Sequence, residues 1–374
     1  MTDAHIENDT LDAPSPSGTP RNIDFWLNTA LIVLAIAAIG GAGFFGWTVY
    51  KNRQAENSTS AAGRVADAIS QQIRKNPNDA VLRVRLGEAY SDMGRYPDAI
   101  AQFNAALKIN PKHVGAYLDL GVVAMTTQNY DQAKIFFQKV IDLTEADQYQ
   151  GIDETRESAY YNLGLVAMAQ KRYSDAAGFF KGALRIRSDA SDTYFQLAHA
   201  LSALGDDDSA IQQLELGLQF DPGFAEMHFY LGQLHQKQGD LVNAAYEYKK
   251  AAALAPQADP PRQALDALGS ASDWIAKARK QAAAGDLETA VTSILIARNL
   301  DPSSFEAAKV HGDILVLRKD LKDALDVYKA ALALNPSDAA MRATVADLKT
   351  KVPVVKSSQS TKAAKKGAKT STSK

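Results

Sequence analysis

The chain has no cysteine. Disulfides, cysteine-based zinc sites, iron–sulfur clusters and thiol catalysis are therefore excluded. Histidine is scarce: His5, His113, His199, His228, His235 and His311 are the whole set, and no HExxH or other paired-histidine pattern occurs. His228 and His235 stand seven residues apart on similar faces of one predicted helix, a spacing better suited to packing than to a metal. A phosphate-cradling GxxxxGK[ST] loop is also missing. The acidic run Asp206-Asp207-Asp208 follows Gly205 and reads as a helix start, where acids suit the helix dipole. No catalytic set emerges, so neither enzymatic activity nor a bound metal or cofactor is expected.

Charge of one sign is lacking overall, with a net charge of −2 over 374 residues. The balance is uneven. Seven lysines and no acid lie in 351–374, which leaves −9 on residues 1–350. A mildly acidic body excludes a nucleic-acid-binding one. The tail 351–374, with Ser, Thr and Ala between its lysines, is expected to be disordered. The leader 1–24 is acidic and contains Pro14, Pro16 and Pro20, and is likewise expected to lack a core.

Charge is absent altogether from Phe25 to Tyr50, a run of 26 residues. About 20 apolar residues span a bilayer as a helix. Trp26 at one end, and Trp47 and Tyr50 at the other, stand where an aromatic belt belongs. A cleaved signal peptide would carry a basic leader and a shorter apolar run. The expectation is a single transmembrane helix over 25–50. Lys51, Arg53 and Arg64 follow it, while Asp3, Glu7, Asp9, Asp12 and Asp24 precede it. The positive-inside rule then favours a cytoplasmic C-terminal part. The bias is a few charges, so the extracytoplasmic orientation stays open. Ala38, Ala42 and Gly46 recur every four residues, a spacing that would let two such helices pair as a homodimer.

Beyond residue 80 the chain repeats itself. Leu-Gly pairs fall at Leu86-Gly87, Leu120-Gly121, Leu163-Gly164 and Leu231-Gly232, with degenerate versions at Leu197-Ala198, Lys277-Ala278 and His311-Gly312. The second members are 34, 43, 34, 34, 46 and 34 residues apart. Twelve residues after each comes Ala: Ala99, Ala133, Ala176, Ala210, Ala244, Ala290 and Ala324. Four further on stands a bulky group: Phe103, Phe137, Phe180, Leu214, Tyr248, Ile294 and Tyr328. Asn110-Pro111, Asp221-Pro222, Asp301-Pro302 and Asn335-Pro336 punctuate the units as helix stops.

This pattern resembles the tetratricopeptide repeat family and covers about Ala80 to Ser337 as seven units. The resemblance is to membrane-anchored bacterial members. It implies an all-α helix-turn-helix solenoid, a right-handed superhelix with a concave inner face. The expected organisation is repeats one to five over 80–256, a Pro-containing linker over 257–270, and repeats six and seven over 271–337. A linker or capping helix is expected within 51–79, its inner face at Val65, Ile69 and Ile73, and a terminal cap over 338–350. Nine extra residues around Thr144 to Thr155 should prolong a helix end and its loop.

In that family the first helix of each unit grips peptides. The matching positions, three residues before each second member, are Val84, Leu118, Tyr161, Phe195, Phe229, Ile275 and Lys309. Only the last is basic, so the carboxylate clamp of chaperone-binding members is not expected. What remains is an aromatic row, Tyr161, Phe195 and Phe229, with Met125, Met168, Asn162, Gln196, Tyr230 and Gln233 beside it. Apolar rings flanked by amides suit a helix or an extended peptide. The expected function is a membrane-anchored, non-catalytic scaffold for protein partners. Alternatives are an accessory factor in envelope biogenesis or cytochrome c maturation, and a regulatory subunit of a membrane enzyme complex.

Overall fold

The computed structural model describes residues 60–145 and 154–352. The expected membrane span 25–50, with Ala38, Ala42 and Gly46, lies outside them, as do the leader and nearly all of the lysine-rich tail. Among the described residues no helix is long and apolar enough to cross a membrane, and no strand occurs.

Seven helix pairs follow one another. The first helices are α2 (Ala80–Asp92), α4 (Val114–Thr126), α6 (Glu154–Ala169), α8 (Ser191–Ala203), α10 (Ala225–Lys237), α13 (Ala271–Ala283) and α15 (Phe305–Leu317). The second helices are α3 (Tyr96–Ile109), α5 (Tyr130–Glu145), α7 (Tyr173–Ile186), α9 (Asp207–Phe220), α11 (Leu241–Leu254), α14 (Leu287–Leu300) and α16 (Leu321–Leu334). Three further helices are α1 (Ala61–Lys75), α12 (Asp259–Ala267) and α17 (Ala339–Lys351). The chain divides into two compact units, 1–123 and 124–374.

In the first unit, α1 rests on α2. Ala66 is buried against Leu86 and Ala89, and the partly buried Ile69 and Ile73 pack beside it. Val65, expected on that face, is exposed instead, and Ala66 takes the inward position. The Leu-Gly rule has a steric cause in the α2/α3 pair. A Cβ on Gly87 would sit under 3 Å from the Phe103 ring. The bare backbone lets the two helices close over the phenyl group, and Phe103 is fully buried.

The second unit repeats this device at Gly164 with Phe180, Gly232 with Tyr248 and Gly312 with Tyr328. The Asx-Pro stops also acquire a mechanism. At Asp221 and Asp301 the carboxylate accepts the backbone N–H two residues on, at 3.0 Å in each case. Such Asx turns end the second helix while Pro prevents its continuation. Around the expected insertion, α5 and α6 reach 16 residues each. Residues 146–153 between them lie outside the described residues.

The segment expected as a Pro-containing linker carries a helix. α12 places Pro260 in its first turn, where a missing N–H breaks no helical bond, and buries Pro261. Its Ala264 and Leu265, with Leu268 just past its end, pack on Ala244, Ala245 and Tyr248 of α11. That is the arrangement with which Met341, Val345 and Leu348 of α17 cover Ala324, Leu325 and Tyr328 of α16. In the sixth pair, Ala278 is fully buried where Gly is usual, and Lys277 turns out over the Trp274 ring, 4.2 Å from its centre.

Candidate functional site

The aromatic row sits on α6, α8 and α10, at equivalent positions 34 residues apart. All three rings are half-buried. Tyr161 tilts onto Phe180 of its own repeat, with ring centres 5.8 Å apart. Burial pushes its hydroxyl above the ordinary tyrosine pKa, with the Asp192 and Glu157 carboxylates adding to the shift. Phe229 tilts onto Tyr248 of its own repeat at 5.6 Å. Both rings thus lean on the between-helix fillers rather than standing clear of them.

Phe195 behaves differently. It meets His199 edge-on at 4.6 Å, Phe224 at 5.2 Å and Tyr230 edge-on at 6.0 Å. His199 in turn stacks on Tyr230, with ring centres 3.9 Å apart and planes 12° from parallel. Burial lowers the His199 pKa below its ordinary value, which favours the neutral ring for this stack. The repeat therefore brings together Phe195, His199, Phe224 and Tyr230 from two successive repeats. His199 and Phe224 were missed by the positional reading. His199 had a signal, since it stands four residues after Phe195 and so shares its helix face.

The other expected residues divide. Met168 packs against the same cluster as Tyr161 and Phe195. Met125 on α4 and Gln196 on α8 are half-buried, and Gln233 on α10 is exposed. Asn162 donates its amide to the Ser158 carbonyl of its own helix at 2.8 Å. That bond turns its donor toward α6 itself rather than toward a ligand.

A polar string borders the aromatic cluster. Ser202 donates to Asp207 at 2.7 Å, and Lys237 pairs with the same carboxylate at 2.6 Å. Those two partners hold the Asp207 carboxyl below its usual range. Asp206 caps α9 by accepting the Ser209 N–H at 3.1 Å, and Asp208 accepts from Gln238 at 2.7 Å. The acidic run thus caps its own helix and ties the turn to α10. His228 has both ring nitrogens engaged. His228 is buried, its Nδ1 2.5 Å from Glu247 and its Nε2 3.1 Å from the Pro222 carbonyl. Nδ1 of His235 lies 3.8 Å from the Asp240 carboxylate. No cluster of three metal-ligating side chains occurs among the described residues.

Models of the tetratricopeptide repeat match residues 84–149, 167–234 and 275–339, together more than half of the chain. Anaphase-promoting complex subunit 3 of Schizosaccharomyces pombe is 25% identical over 169 residues, which is 45% of this chain. The aligned part is 24% of that relative, so the chain spans about a quarter of its length. Among solved structures, YrrB, described as a TPR protein with an unusual peptide-binding site, is 22% identical, with a TM-score of 0.43. The match covers 53% of this chain and 98% of YrrB. MamA is 24% identical over 46% of this chain and 95% of its own, with a TM-score of 0.41. The seven helix pairs, the glycine-to-ring closure and the matched residues agree, and the chain belongs to the tetratricopeptide repeat family.

Proposed function

We propose that the protein is a non-catalytic scaffold, anchored in a membrane by residues 25–50, that captures a protein partner on the aromatic surface of α6, α8 and α10. One observation carries the capture reading. Phe195, His199 and Tyr230 remain partly exposed, whereas the between-helix rings Phe180 and Tyr248 are 0% and 1% exposed. Rings that hold a repeat together are fully covered. A mutually braced aromatic cluster left at the surface is pre-organised for an incoming side chain, with little rotamer entropy left to lose. The anchor rests on the uncharged run alone, and the cytoplasmic side on the Lys/Arg excess after it.

The test places a photocrosslinking phenylalanine analogue at position 195 in the full chain, in cells. A discrete crosslinked protein is expected, and its yield should fall in a Tyr161→Ala/Tyr230→Ala background. Losing a ring at a buried contact costs about 2 kcal/mol, or roughly thirtyfold in affinity. Phe180→Ala is the control, lowering thermal stability rather than capture alone. No crosslink at 195, or one indifferent to both alanines, sinks the aromatic reading. Extraction from membranes by alkaline carbonate would overturn the anchor, and degradation of the repeats by protease added to intact spheroplasts would overturn the cytoplasmic side.

A further inference from the structure

The junction between the fifth and sixth repeats departs from the regular stack. Elsewhere in this unit a second helix is followed by the first helix of the next pair, as α7 by α8 and α9 by α10. Here α12 covers α11 in the manner of a terminal cap, and α14 packs directly on α11. Two second helices side by side leave a cleft of about 450 Å³, lined by Tyr246, Lys249, Lys250, Leu295, Arg298 and Asn299. That volume lies within the range of small-molecule sites.

Its electrostatics are one-sided. Lys249, Lys250 and Arg298 converge on it, and no carboxylate is among the lining residues. Each cation is held by an uncharged partner. Lys249 donates to the Leu300 carbonyl at the end of α14, at 3.1 Å. Lys250 lies over the Tyr246 ring, 5.0 Å from its centre. Arg298 is 2.8 Å from Nδ1 of His311. A guanidinium only donates, so His311 must be the acceptor there and carries its own proton on Nε2. Burial, with Arg298 and Arg318 nearby, pushes the His311 pKa down to about 4, so the ring remains a neutral acceptor at neutral pH. Asn299 donates to the Val242 carbonyl at 2.8 Å and fixes the cleft wall.

Arg298 is half-buried, Lys249 and Lys250 are exposed, and each has an uncharged partner, so together they offer donors that an anion would complete. The charge and donor count select among anions. A phosphomonoester carries close to two negative charges at neutral pH and three acceptor oxygens. It matches two ammonium groups and the free edge of a guanidinium better than a single carboxylate does. Tyr246, Leu295 and Pro302 offer an apolar wall beside the cations. We propose that the cleft between α11 and α14 binds a phosphomonoester carried on an aromatic or aliphatic body. The carrier is a free small molecule or a phosphorylated side chain of a partner, with the same chemistry at the site. This inference is independent of the aromatic surface on α6, α8 and α10.

The test is titration of the full chain with phenyl phosphate, inorganic phosphate and benzyl alcohol by calorimetry, at low and physiological salt. Phenyl phosphate should saturate, bind about tenfold tighter than inorganic phosphate, and weaken as salt rises. Lys250→Gln should weaken it about tenfold, the loss of one charge-assisted contact, and Lys250→Glu should abolish it. Lys250 makes no backbone hydrogen bond of the kind Lys249 makes, so both variants should melt like the wild type. Free phosphotyrosine against a phosphotyrosine peptide then separates the sources: tighter peptide binding assigns a partner protein, and equal binding assigns a small molecule. The proposal fails if phenyl phosphate does not saturate below roughly 10 mM. It fails equally if Lys250→Glu binds as the wild type does, or if benzyl alcohol binds as well as phenyl phosphate.

Discussion

Single residues in this chain change in pairs. Gly87, Gly164, Gly232 and Gly312 each meet an aromatic ring sixteen positions later, so close that a Cβ would fall under 3 Å from it. Where Ala198 and Ala278 stand instead, the partner position holds Leu214 and Ile294, and all four are fully buried. A methyl on one helix is accommodated by removing the flat ring from the other, which conserves volume across the pair. Gly232→Ala should therefore cost about 1–3 kcal/mol by overpacking against Tyr248. Tyr248→Leu forfeits the 2.6 Å hydrogen bond to Gln236 and is destabilising alone. Combined, the two should recover at least about 1 kcal/mol relative to additivity. Urea unfolding of the four members of this cycle measures the coupling. Strict additivity would mean that the co-variation has no steric basis. The pairing was visible in the sequence as periodicity, but its cause was not, because sixteen residues of chain separate atoms that touch.

At the scale of helices and turns, the position seven residues after each second member has positive φ in all seven pairs. Gly94, Gly205, Gly239 and Gly285 take it without strain, whereas Gln128, Lys171 and Lys319 are held there at φ of 60°, 59° and 69°. A non-glycine residue held there costs about 1–2 kcal/mol, partly offset in a glycine variant by its greater unfolded-state entropy. Lys171 is exposed. Lys171→Gly should thus stabilise the third pair by about 0.5–1 kcal/mol, and Gly239→Ala should destabilise the fifth by a similar amount. Thermal melts of both variants check the sign, and a Lys171→Gly melting below the wild type would refute the argument. The glycine turns were legible as helix breaks. The other three were not, because the left-handed turn is imposed by the two helices it joins rather than by the residue occupying it. α12 was hidden for a related reason. Pro260-Pro261 reads as a breaker locally, yet the first turn of a helix tolerates it once α11 supplies an apolar face to cover.

On the scale of the whole array, the junction couples rather than separates the repeats on either side. The Trp274 indole donates to the Leu268 carbonyl at 2.8 Å and packs with clusters of both the fifth and sixth pairs. Ile296 of α14 is 1% exposed among residues of α11 and α12. In a repeat array stability is a sum of intrinsic and neighbour terms, so these contacts should make the last two pairs unfold with those before them. Trp274→Ala with Asn299→Ala removes ring packing and both hydrogen bonds at about 3 kcal/mol or more. Amide exchange in α13 to α16 should then accelerate while α8 to α11 stay protected, and uniform protection would show that the junction carries no coupling. What the sequence determined by itself was the register of seven units, their helix pairs and their stops, because those follow from local periodicity and turn chemistry. Tertiary structure alone decided that a Pro-rich segment becomes a cap, that Phe195 rather than Tyr161 or Phe229 gathers an aromatic cluster, and that three cations face one cleft. Each of these depends on which side chains a neighbouring helix brings within a few ångströms, and no spacing along one chain specifies that.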